Sequence, residues 1–102
     1  MALKSDVRPE ELGRGLQDAL AEASDVVKGL WLTAHRGAVS FWILTAPIDA
    51  ATQRALYERT NVLYERFPQA EFDVHVLNPE WFAGADPLSA LPRDAKRLLP
   101  AT

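Results

Sequence analysis

Residues 26–45 read VVKGLWLTAHRGAVSFWILT, and this stretch decides the fold. Two runs rich in β-branched and aromatic residues, Val26–Thr33 and Ala38–Thr45, flank His35-Arg36-Gly37. Such runs favour strands because their side chains fill a pleated, half-buried surface. The polar tripeptide between them supplies a turn, with Gly37 suited to a positive φ. The stretch therefore predicts a β-hairpin with Arg36 and Gly37 at its tip. That tip pairs Leu32 with Phe41, Trp31 with Trp42 and Leu30 with Ile43, a register that keeps like faces together.

Working outward, Leu12, Leu16, Ala19, Leu20 and Ala23 fall on one helical stripe over about Pro9 to Ser24. Pro9 suits the first helical position, and Glu10 and Glu11 suit the positive end of the helix dipole. Gly13 and Gly15 weaken its first turns, so a frayed start is expected. Beyond the hairpin, Asp49 is a natural N-cap for a helix running to Phe67, where Pro68 stops it. The tetrapeptide Leu-Tyr-Glu-Arg occurs at 56–59 and again at 63–66, which reads as one helix face reused two turns later. A third strand, Phe72–Leu77, ends at Asn78-Pro79. The remainder carries four of the seven prolines, counting from Pro79, and is expected to wrap the domain as an irregular tail. Trp81, Phe82, Leu88, Leu91, Leu98 and Leu99 are its anchors, with a helical turn over Asp94–Leu98.

The order α-β-β-α-β predicts an α+β fold, a ferredoxin-like half-sandwich with a three-stranded sheet and two helices on one face. Residues 1–79 form this domain, and 80–102 form the proline-rich tail packing on it. The place of the third strand, beside the first or the second, stays open; a parallel pairing with the second requires a right-handed crossover.

Strand alternation sorts the sheet into two faces. Leu30, Leu32, Val39, Phe41, Ile43, Phe72, Val74 and Val76 form an almost pure hydrocarbon set that should meet the helices. Trp31, Thr33, Ser40, Trp42, Leu44, Asp73, His75 and Leu77 form the other, with no helix left to cover it. Two opposed tryptophans there make an apolar patch large for a monomer. The tail, a second subunit or a ligand is needed to cover it. The expected interface comprises Trp31, Trp42, Leu44 and Leu77, with Tyr57 and Tyr64 on the edge of the second helix.

Composition narrows the function classes. The chain has 102 residues, one domain's worth, with 48% hydrophobic and 25% charged residues, ordinary for a globular protein. It has no cysteine, which removes disulfides, thiolate metal sites and cysteine nucleophiles. The Met1–Pro9 stretch has no apolar core of a signal peptide, and no run is long enough to span a bilayer, so the expected setting is cytoplasmic. The formal net charge of −3, with its basic residues dispersed, disfavours nucleic acid as a partner.

Chemistry-bearing motifs are sparse. His75 and Asp73 are two apart on one strand and share a face, so a carboxylate stands beside an imidazole, as in many metal and proton-transfer sites. One histidine is not a metal site, since even catalytic zinc takes three protein ligands. His35 reads as a solvated turn residue. The chain spells no G-x-S-x-G, H-E-x-x-H, Walker loop or G-x-G-x-x-G. No cofactor is implied, and an enzyme is the least favoured class.

Residues 24–78 resemble the cytoplasmic C-terminal domain of cation diffusion facilitator transporters. The likeness lies in the hairpin, the helix ending Glu65-Arg66-Phe67-Pro68, and Phe72-Asp73-Val74-His75-Val76. That resemblance implies dimerisation and divalent-metal binding, with His75 alone falling on a ligand position. The chain also resembles small stand-alone bacterial proteins of unknown function carrying a similar R-F-P … F-D-x-H-V segment and a proline-rich tail, as at Leu91-Pro92-Arg93-Asp94-Ala95. A fainter likeness to minimal nucleotidyltransferase cores lacks their paired magnesium-binding aspartates. Together these readings give a dimerisation or interaction module without catalysis of its own. The alternative is a regulatory domain responding to a divalent metal or small ligand at Asp73 and His75.

Overall fold

The computed structural model describes residues 8–36 and 38–99. Helix α1 spans Pro9–Ala19 and passes into a three-ten turn at Ala21–Ala23. Strands β1 (Val27–His35) and β2 (Ala38–Thr45) form the hairpin. Helix α2 (Ala50–Arg66), strand β3 (Glu71–Leu77), three-ten turns at Pro79–Trp81 and Pro87–Ala90, and strand β4 (Lys96–Leu99) complete the chain. The fold is α+β, with a mixed sheet in the order β3-β2-β1-β4.

The hairpin pairs as its side chains require: Leu30 with Ile43, Trp31 with Trp42 and Leu32 with Phe41. β1 runs two residues further than the sequence suggested, through Ala34 and His35. Arg36 takes a φ of 51° at the tip, and Gly37 lies outside the described residues. β3 pairs parallel with β2 in the register Phe41–Val74 and Trp42–His75, which resolves the strand order. Asp49 caps α2 by accepting the Thr52 N–H at 2.7 Å, and the Thr52 hydroxyl, then this N–H, hold its carboxyl below the usual range.

The core lies between the helices and the hydrocarbon face. Leu12 and Leu16 of α1, Leu20 at its C-cap, and Leu56 and Leu63 of α2 pack on Leu30, Leu32, Val39, Phe41 and Ile43, all buried. Phe72, Val74 and Val76 line the same side. Gly15 is where the helices meet. A Cβ built there would stand 2.8 Å from Leu63 Cδ2 and 3.2 Å from Phe67, so the glycine that weakens α1 locally is what lets α2 approach.

The three-stranded expectation is corrected by β4. The helical turn expected at Asp94–Leu98 gives way to a strand antiparallel to β1, pairing Leu32 with Lys96, Trp31 with Arg97 and Leu30 with Leu99. A bulge between Leu30 and Trp31 places one extra residue, Leu98, in β4. Leu98 and Leu99 can thereby both pack on the core, which strict alternation forbids. Burial of two successive leucines outweighs the local helical tendency of Asp-Ala-Lys-Arg.

Candidate functional site

Register arranges the face away from the helices in rows. Arg97, Trp31, Trp42 and His75 are successive Cα partners, so one row crosses all four strands. Thr33, Ser40 and Asp73 form the row toward the hairpin tip, and Leu44 and Leu77 lie toward the other end. Within the central row the Trp42 and His75 rings stack at 4.2 Å with 17° between planes. His75 Nε2 stands 3.4 Å from Asp73 Oδ1, as the shared strand face predicts. His35 is solvated, as its place beside the turn suggested, and its Nε2 stands 3.2 Å from Asp94 Oδ2, joining the hairpin tip to the C-terminal segment.

Residues 78–95 cross this face. β3 and β4 occupy opposite edges, and pairing makes them run in the same direction. Their connection must therefore return across two strands. The α2 crossover already takes the helix face from β2 to β3; a connection running back toward β4 keeps the favoured right hand only on the opposite face. Burial agrees. Thr33 and Leu77, on the face without helices, are buried, and Trp31 and Trp42 are half-buried. The Trp42 Nε1–H is fully enclosed and finds no acceptor among the described residues. The tail was one of three covers open to this face, and it is the one the chain supplies.

The strap is tied down at its start by Asn78, a fully buried residue that the sequence marked only as a turn. Its Nδ2 donates to the Ile48 carbonyl at 2.8 Å and to Gln53 Oε1 at 2.9 Å. Its Oδ1 accepts from the Ile48 and Glu80 N–H groups. Gln53 Oε1 also accepts the Trp81 Nε1–H at 2.7 Å. A chain of bonds thus fixes the indole of Trp81, whose surface is 61% exposed, the most of any large apolar side chain described. The only trace of this network in the sequence is Asn78-Pro79 following a strand.

Tyr57 and Tyr64, placed by sequence on an interface edge, lie along the outer edge of β3. The Tyr64 hydroxyl donates to the Phe72 carbonyl, and its ring stacks on the Phe72 ring at 4.2 Å. Partial burial, then the nearby Asp73 charge, push the Tyr64 phenol above its ordinary range.

For a metal, the donor set is thin: among the described residues no three His, Cys, Asp or Glu side chains gather to hold an ion. His75 and Asp73 stand as a pair. No described helix is long and apolar enough to cross a membrane. No protein-family model, curated protein or solved structure matches this chain.

Proposed function

We propose that this chain is a small interaction module that self-associates as a homodimer and performs no reaction of its own. The supporting observation is Trp81. An indole held in one orientation by Gln53, itself fixed by buried Asn78, yet largely open to solvent, loses little entropy on docking. Rigid, exposed tryptophans of this kind are the usual anchors of protein contacts. Leu88 and, on α2, Tyr57, Val62 and Tyr64 add exposed apolar surface to the same module. This reading takes the core as a ferredoxin-like half-sandwich acting in the cytoplasm.

Sedimentation of the wild type and Trp81→Ala across a concentration series tests the proposal. A wild-type dimer weakened at least tenfold by the substitution, with an unchanged circular dichroism spectrum, supports it. A wild type monomeric at every concentration rejects it.

A second reading rests on the stacked Trp42–His75 pair beside Asp73, which would report a bound divalent ion or small ligand through tryptophan emission. Titration with zinc or nickel tests it. Quenching that disappears in His75→Ala favours this reading, and unchanged emission removes it.

A further inference from the structure

We infer that self-association proceeds by exchange of the C-terminal arm. Residues 86–99 of one copy cross to the sheet of a second and seat β4 against the second copy's β1. This inference rests on the self-association proposed above and specifies its seam. β4 joins the sheet at one edge only, through three register pairs interrupted by a bulge. Between Pro79 and Ala95 no residue is fully buried, so the strap lies on the domain without being built into it. Its root is different, because Asn78 is locked in place and stays with its own chain.

The hinge falls between these parts. Ala83 sits at φ 49° and Gly84 at φ 88°, and the space beside Gly84 is open to 4 Å. The left-handed region is unfavourable for alanine, so an extended hinge releases strain that the closed form stores. Short strained hinges favour exchange, and the exchanged arm reuses the contacts each chain already makes with itself, leaving exposed Trp81 beside the hinge to dock on the second copy. A second copy's arm would meet the same Trp31, Leu30 and Leu32 partners and the same His35–Asp94 contact. Pro87, heading the three-ten turn, and Pro92 restrict the arm's backbone, which lowers the entropy lost when it reaches across.

The chain has no native cysteine, so a pair can be introduced cleanly. His35→Cys with Asp94→Cys replaces two exposed residues, and a short bismaleimide can bridge them. Exchange predicts bridged dimers on a denaturing gel, formed from the dimer fraction and absent from either single-cysteine variant. A dimer in solution yielding only bridged monomers overturns exchange while leaving self-association standing. Monomer alone in sedimentation overturns both. Ala83→Gly removes the strain of the closed hinge, so its dimer dissociation constant should rise about tenfold or more. An unchanged constant overturns the hinge at Ala83.

Discussion

The Val76 backbone N–H donates to the Tyr57 hydroxyl at 3.2 Å, from the outer edge of the sheet. Four residues earlier on the same edge, the Phe72 carbonyl accepts from Tyr64. The two tyrosines occupy the same place in the repeated Leu-Tyr-Glu-Arg, about 10.5 Å apart along the helix. From the Phe72 carbonyl to the Val76 N–H is roughly three residues of strand, about 10 Å. The repeat therefore matches the edge it faces. Leu56 and Leu63 go into the core, and the adjacent hydroxyls occupy backbone groups that would otherwise template another strand. The opposite edge is guarded differently, by shortness, by the bulge, and by Lys96 and Arg97. Tyr57→Phe with Tyr64→Phe should lower stability by about 1–3 kcal/mol, at about 0.5–1.5 per bond. It should also raise the rate of thioflavin-positive aggregation, because two edge groups lose their partners. Urea midpoints and aggregation kinetics check it; unaltered aggregation would mean the hydroxyls do not guard the edge.

Tyr64 also gives a pH prediction. Its folded pKa is raised, so above about pH 10 the unfolded chain releases this proton more readily than the folded one. The stability tied to the neutral phenol is full below the unfolded pKa and falls as pH rises through and beyond it. Alkaline denaturation should thus begin earlier in the wild type than in Tyr64→Phe, relative to each protein's stability at pH 7. Parallel curves for the two would reject the assignment.

Asn78→Ala should be among the most damaging single changes outside the hydrocarbon core. It leaves the Ile48 N–H and C=O, the Glu80 N–H and one Gln53 contact without their present partner. Each buried orphan costs about 1–3 kcal/mol where water cannot enter. Asn78→Asp keeps the shape but loses both N–H donations, so it should not rescue. Loosening of Trp81 should accompany the loss, seen as a red shift and easier iodide quenching. A variant as stable as wild type would remove Asn78 from the strap's root.

The hairpin, its register and the division of its faces were legible because a strand's period of two leaves one arrangement with like faces together. The capped helix α2 was equally legible from Asp49 and Pro68. β4 was not. Its four residues are too few for a period, and a bulge breaks the alternation that would have marked Leu98 and Leu99 as strand. The open face was listed residue by residue, with Asp73 and His75 together on it, but the stacking of Trp42 on His75 comes from the β2–β3 pairing that the sequence left open. What covers it depends on β3 and β4 lying at opposite edges, a long-range fact that no local pattern carries.

The helix contact at Gly15 sets two opposing effects against each other. Alanine there gains roughly 1 kcal/mol of helix propensity over glycine. Against that, its methyl would stand 2.8 Å from Leu63 Cδ2, and Leu63 is fully buried and cannot swing aside. Overpacking of a tight contact costs typically about 1–3 kcal/mol. Gly15→Ala should therefore be net destabilising by up to about 2 kcal/mol, and Leu63→Ala in the same chain should turn the substitution favourable by making room. A double-mutant cycle in urea reads the coupling directly. If Gly15→Ala stabilises the wild type, the helices do not meet at this distance, and the glycine has no packing role.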